Sequence, residues 1–154
     1  MDLGLTDKAC IVTGATRGIG RATVRMLVDE GARVLLVARD GDELARVGED
    51  VGGGCEIFAA DVTEAADDER IVAACAERFG TVDVLVNNAG TSSVRSLEEL
   101  TDDDWQAQWE LHVMGPMRLM RAAAPLMAAA GAGRIVNVCS SAGKRPLLTN
   151  PPTP

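Results

Sequence analysis

Five short runs of this chain are apolar almost without interruption, and they constrain its fold more than any other feature. They are KACIVTG (8–14), ARVLLVAR (32–39), CEIFAAD (55–61), VDVLVNNAG (82–90) and GRIVNVCSS (133–141). A strand with one wet face alternates apolar and polar residues. Strands lacking that alternation are buried on both faces, which requires a parallel sheet covered by helices on each side. The segments between them supply those helices, at 18–31, 41–52, 63–80 and 101–131. The first and third carry apolar residues at three- and four-residue spacing and end at a glycine, a common helix stop. The fourth opens with Thr101 and three aspartates, which suit an N-cap and the positive end of the helix dipole. Strict alternation of strand and helix through short glycine-bearing loops describes a doubly wound α/β sheet with right-handed crossovers.

A chain of 154 residues fits one domain. We read 1–145 as that domain, with no repeat or linker inside it, and 146–154 as a tail holding four of the six prolines. Hydrophobic residues make up 47% and charged residues 25%, a globular composition, and no apolar run approaches the roughly 18 residues that span a bilayer. The opening MDLGLTDK has neither signal-peptide nor transit-peptide character, so a cytoplasmic protein is expected. A net charge of −8 argues against nucleic acid or an anionic membrane as partner, and any anion would have to bind at a local site. Cys10, Cys55, Cys75 and Cys139 lie far apart with no CxxC pair. They are expected to be buried thiols, with no metal site and no disulfide.

TGATRGIG (13–20) falls between the first strand and the first helix. Gly14 suits a tight turn, Gly18 lets the backbone approach a pyrophosphate, and Gly20 lets the helix pack on the strand. The free N–H groups of the helix start then hold the anion. The plainer alternative is that the glycines only close a tight turn. Gly14, Thr16, Arg17, Gly18, Ile19 and Gly20 are therefore the candidates for phosphate and cofactor contact.

The Gly-x-x-x-Gly-x-Gly spacing, followed by Asn87-Asn88-Ala89-Gly90 after the fourth strand, resembles the short-chain dehydrogenase/reductase family. The likeness runs from about residue 5 to residue 150. It implies a Rossmann-type sheet of order 3-2-1-4-5 that lacks the family's last strands, and an NAD(P)-dependent oxidoreductase acting on a carbonyl or alcohol. It also implies that Asp61 and Val62 contact the adenine, that Asn88, Ala89 and Gly90 line the cofactor cleft, and that the long fourth helix meets a partner subunit in a homo-oligomer. Similarity to 3-oxoacyl-carrier-protein reductases is at family level only, and the substrate is not given by these residues.

In a dinucleotide fold the end of the second strand reads the adenosine ribose, through an acid for a 2′-hydroxyl or an arginine for a 2′-phosphate. Here Ala38 stands where the acid would, with Arg39 beside it and Arg17 in the glycine loop. Two guanidinium groups suit bidentate bonds to a phosphate, so NADP(H) is preferred, with NAD(H) the alternative if Asp40 takes the acid's place.

Hydride transfer to a carbonyl also needs a proton donor. The resemblance implies a Tyr for that role, a Lys four residues on, a Ser and an Asn. Ser140 matches the Ser, with Ser141 as second choice. At the Asn position the chain has His112, whose imidazole could relay a proton, although the family's Asn acts largely through its main-chain carbonyl at a helix distortion. A His packed in an apolar helix is the plainer reading. Met114, Met117, Met120 and Met127 read as core or interface filler. The chain has no tyrosine, and its lysines are Lys8 and Lys144. The Tyr position falls near Thr153, inside Asn150-Pro151-Pro152-Thr153-Pro154, where a relative would read something like Asn-Pro-Ala-Tyr-Ser. A one-base frameshift connects the two readings with suitable codons. Two readings follow: a shortened, inactive form of a reductase, or a non-catalytic cofactor-binding fragment, interaction module or gene remnant.

Overall fold

The structure is a computed structural model in which residues 3–92, 96 and 98–141 are described. The expected tail, Lys144, Thr153 and the 145/146 boundary lie outside the described residues. Strands β1 (Ala9–Thr13), β2 (Arg33–Ala38), β3 (Cys55–Ala59), β4 (Val84–Asn87) and β5 (Arg134–Asn137) form one parallel sheet in the order β3-β2-β1-β4-β5. This is the Rossmann-type arrangement expected from the sequence.

Side chains alternate across a strand, so each inner strand feeds two cores. On one face Ile11, Leu35, Val37 and Leu85 pack with Ile71 and Cys75 of helix α3 (Ala65–Phe79). Leu119, Ala123 and Met127 of helix α5 (Gly115–Ala129) complete that layer. On the other face Cys10, Val12, Val34, Leu36 and Val86 pack with Val24 of α1 (Gly18–Asp29) and with Leu44 and Val47 of α2 (Gly41–Val51). Every residue of β1 is buried, as its continuous apolar run requires.

The two edge strands depart from the expectation of full burial. All four residues of β5 are exposed, and β3 is mostly open, with Glu56, Ile57 and Ala59 exposed. Their runs are as apolar as those of the inner strands, but β3 lies at one margin of the sheet and β5 at the other. The cysteines need a similar correction. Cys10 and Cys75 are buried, with burial pushing both thiols up to about 12, whereas Cys55 is half-buried and Cys139 exposed. All four are free thiols.

The helix expected over 101–131 is also not uniform. It comprises α4 (Asp102–Trp109), a π turn (Glu110–Met114) and α5. In the π turn the Gly115 N–H reaches back five residues to the Glu110 carbonyl. Two local causes coincide here. Pro116 has no N–H to offer the carbonyl four residues back, that of His112, and its ring crowds that position. Gly115 packs so closely on the Val62 carbonyl that any Cβ there would collide with it.

Candidate functional site

The strand order reverses between β1 and β4, and at the carboxyl ends of such neighbouring strands an open α/β sheet forms its crevice. A cleft of about 1060 Å³ lies there. It brings together Gly14, Thr16, Arg17, Gly18, Ile19, Arg39, Asp61, Val62, Asn88, Ala89 and Gly90, eleven of the twelve residues singled out for cofactor contact. The twelfth, Gly20, does not line it. A Cβ on it would collide with the Gly14 carbonyl oxygen and crowd the Asn88 amide, so glycine there lets α1 start directly against the β1 loop. Gly14 turns with φ +63°, in the left-handed region, and a Cβ would meet Ala89 Cα at 2.8 Å.

The start of α1 is electrostatically open. Arg17 occupies the N-cap in extended conformation without a side-chain cap bond, and the first turn holds no acid. The other ordinary helix starts are compensated: Asp40 caps α2, Thr101 forms a capping box on α4, and α3 has the acidic Asp67 in its first turn. An uncapped, positively polarised helix end facing a cleft is suited to a phosphate.

A residue without an assigned role in the sequence joins the two loops of the cleft. Thr13 Oγ1, buried at the end of β1, accepts hydrogen bonds from the backbone N–H groups of Asn88 and Ala89, both at 3.0 Å, and donates to the Val86 carbonyl. The Asn88 side-chain amide answers by donating to the carbonyls of Thr13 (2.9 Å) and Gly14 (3.2 Å). The glycine loop and the Asn88–Gly90 loop are thus fastened together from both sides.

At the far end, Asp40 also lines the cleft, and its Oδ1 accepts from the N–H groups of Asp42 and Glu43 to cap α2. Arg39 is left largely exposed at the cleft, its Nη1 3.9 Å from Asp61 Oδ2. The other oxygen of Asp61 accepts from the backbone N–H and hydroxyl of Thr63, which fixes its direction.

The two catalytic candidates do not meet in this cleft. His112, in the π turn, lines a neighbouring groove of about 540 Å³ with Trp105, Trp109 and Val113. Its Nε2 lies 2.9 Å from the Thr91 carbonyl and 3.1 Å from Gln108 Oε1, both acceptors, which favours a proton on Nε2. The ring also lies against Gly90, where a Cβ would come within 2.9 Å of it. His112 thereby ties the π turn to the loop after β4. Ser140 lies three residues past β5 and is exposed. Among the described residues no group of three or more His, Cys, Asp or Glu forms a metal-sized cluster.

The comparisons agree with this geometry. The family model for short chain dehydrogenases matches residues 8–152. An uncharacterized oxidoreductase, YvrD, of Bacillus subtilis (strain 168) is 36% identical over 152 residues, 97% of this chain and 57% of the relative. A sorbitol dehydrogenase of Cereibacter sphaeroides is 35% identical over 142 residues, 92% of this chain and 56% of the relative. The crystal structure of a metagenomic short-chain oxidoreductase in complex with NADP matches with a TM-score of 0.87 at 38% identity, covering 92% of this chain and 66% of that one. The chain spans little more than half the length of these curated relatives. With its sheet order, its glycine loop and a family match across all five strands, the chain belongs to the short-chain dehydrogenase family.

Proposed function

We propose that the cleft binds NADP(H), and that the whole protein is a cytoplasmic oxidoreductase that moves a hydride between this cofactor and a carbonyl or alcohol. The observation that carries the reading is the uncapped start of α1 opening on a cleft that also holds Arg17 and Arg39. The pyrophosphate would lie against the N–H groups of Gly18–Gly20, and the two guanidinium groups would take the 2′-phosphate. Asp40 Oδ1 is taken by the α2 cap, which leaves only its other oxygen for a ribose hydroxyl. When bound, the cofactor supplies the hydride chemistry, while the chain's own groups orient it through the Thr13–Asn88 fastening. The NADP complex of one structural neighbour and the polyol named for one relative support this reading.

The preference is tested with Arg39→Asp, titrating NADPH and NADH by fluorescence. Loss of charge-assisted bonds worth about 1.5–3 kcal/mol lowers the NADPH to NADH affinity ratio by about tenfold or more. An unchanged ratio overturns the NADP(H) preference.

A second reading concerns the 154 residues as a separate polypeptide. They contain no tyrosine, the residue that family resemblance assigns as proton donor. On this reading the polypeptide is a cofactor-binding module that does not turn over and that associates with copies of itself. Purified chain that binds NADPH yet leaves it unoxidised with a panel of carbonyls meets this expectation; steady NADPH consumption contradicts it.

A further inference from the structure

Asp68, in the first turn of α3, has no solvent exposure, and neither carboxyl oxygen has a hydrogen-bond partner among the described residues. The nearest cation is Arg118 of α5, whose Nη1 is 3.8 Å from Asp68 Oδ2, beyond hydrogen-bond reach and itself buried without a partner. The other nitrogen of the same guanidinium, Nη2, donates to Glu110 Oε2 at 2.8 Å. Glu110 opens the π turn and lines the cofactor cleft. Two carboxylates therefore share one guanidinium, one of them in the core between α3 and α5, the other at the cleft.

We propose that Arg118 is a positioning residue for the cofactor cleft, clamping Glu110 and the π turn, and that the charge on buried Asp68 sets the strength of the clamp. The functional consequence rests on the cofactor reading above. An ionised carboxylate in the core without hydrogen bonds is costly unless a cation closes on it. With Asp68 neutral, Arg118 is free to serve Glu110 through the 2.8 Å contact. With Asp68 ionised, the guanidinium is drawn inward to complete that pair. Glu110 then presents uncompensated negative charge to a cleft meant for phosphates.

Burial pushes the Asp68 carboxyl from 3.8 up to about 7. Arg118 opposes the rise, Asp67 of the same helix adds to it, Arg121 of α5 opposes it and Asp61 adds to it. The clamp thus changes near neutrality. The folded chain holds this proton more tightly than the unfolded chain, so the stability that the neutral acid contributes is fully present below about pH 4. It is lost as pH rises through about 7.

Two readouts on the 154-residue chain test the clamp. Both tryptophans, Trp105 and Trp109, lie on α4, and Trp109 immediately precedes the π turn, so their emission reports on that segment. Asp68→Asn retains every other titratable group, His112 included, and sets the baseline for the cofactor's 2′-phosphate, which itself titrates near pH 6 by about one charge. Relative to Asp68→Asn, the unsubstituted chain should show an emission transition centred near pH 7. Its NADPH affinity should fall about three- to fivefold between pH 6 and 8.5, the order expected for one charge at a hydrated cleft wall. Arg118→Met should abolish the emission transition and Arg118→Lys should retain it. Emission curves that superpose for the unsubstituted chain and Asp68→Asn overturn the clamp, as does an NADPH profile parallel to that of Asp68→Asn. An intact emission transition with no NADPH binding at any pH supports the clamp on the π turn and overturns the cofactor reading instead.

Discussion

Thr13 carries more of the site than its place in the sequence suggests. As the last residue of a β-rich run it reads as an ordinary strand former. Its hydroxyl nevertheless satisfies the N–H groups of Asn88 and Ala89 and bonds the Val86 carbonyl, all within a side chain that is 1% exposed. Valine has the same shape and no hydroxyl, so Thr13→Val leaves two N–H groups without their acceptor, at about 1–3 kcal/mol each where burial is complete. These groups are part-buried, so a total loss of about 2–3 kcal/mol is expected, lowering Tm by roughly 5–10 °C at this chain length. Thr13→Ser keeps the hydroxyl and should cost no more than about 1 kcal/mol, chiefly for the lost methyl. Thermal unfolding of the two variants side by side separates the hydrogen bonds from packing. Equal melting temperatures would show that the fastening of the two loops contributes nothing measurable.

Among the elements, the helix starts divide by their capping. Asp40 and Thr101 each accept from backbone N–H groups, an arrangement worth about 1 kcal/mol per helix, while α1 has no such cap. Arg17 already has the extended backbone of an N-cap, with φ −149° and ψ 170°. Arg17→Asp should therefore stabilise the free chain by about 0.5–1 kcal/mol while weakening NADPH at least tenfold, because the new carboxylate takes the phosphate's place and a cation is lost. Opposite shifts in melting temperature and affinity are the signature; loss of both stability and binding would place Arg17 in the structure rather than at the phosphate. The sequence made these elements legible because period and cap chemistry are local. Glycine spacing likewise located the cleft, and eleven of twelve chosen residues line it. What depends on two distant segments meeting was not legible. The exposure of β5 follows from its rank in the sheet. The π turn needs the Val62 carbonyl against Gly115 as well as Pro116. The Asp68–Arg118 pair joins two residues fifty positions apart on different helices.

For the molecule as a whole, two groups of exposed apolar side chains stand out on the described surface from single ones such as Ile19, Met26 and Leu126. Trp105 and Trp109, 59% and 54% exposed and four residues apart, share one face of α4 and line the groove that reaches Val113. At the sheet margin, Ile135, Val136 and Val138 are 38–48% exposed along β5 and just beyond it. Large apolar side chains grouped in this way mark a surface that is covered by something, and an edge strand adds unpaired backbone groups to the attraction. The net charge of −8 opposes association, but two indole rings lose more by staying wet than a screened charge can offset at physiological salt. The 154-residue chain is therefore expected to sediment as a dimer or larger species at micromolar concentration. Trp109→Arg should shift it toward monomer, since it removes an anchor from the patch centre and places a charge where a partner would have to desolvate it. A β5 variant, Val136→Lys, distinguishes the two surfaces: if it alone disperses the species, the sheet edge holds the copies together and the tryptophan groove does not. A monomeric, cooperatively melting wild-type chain would rule out both.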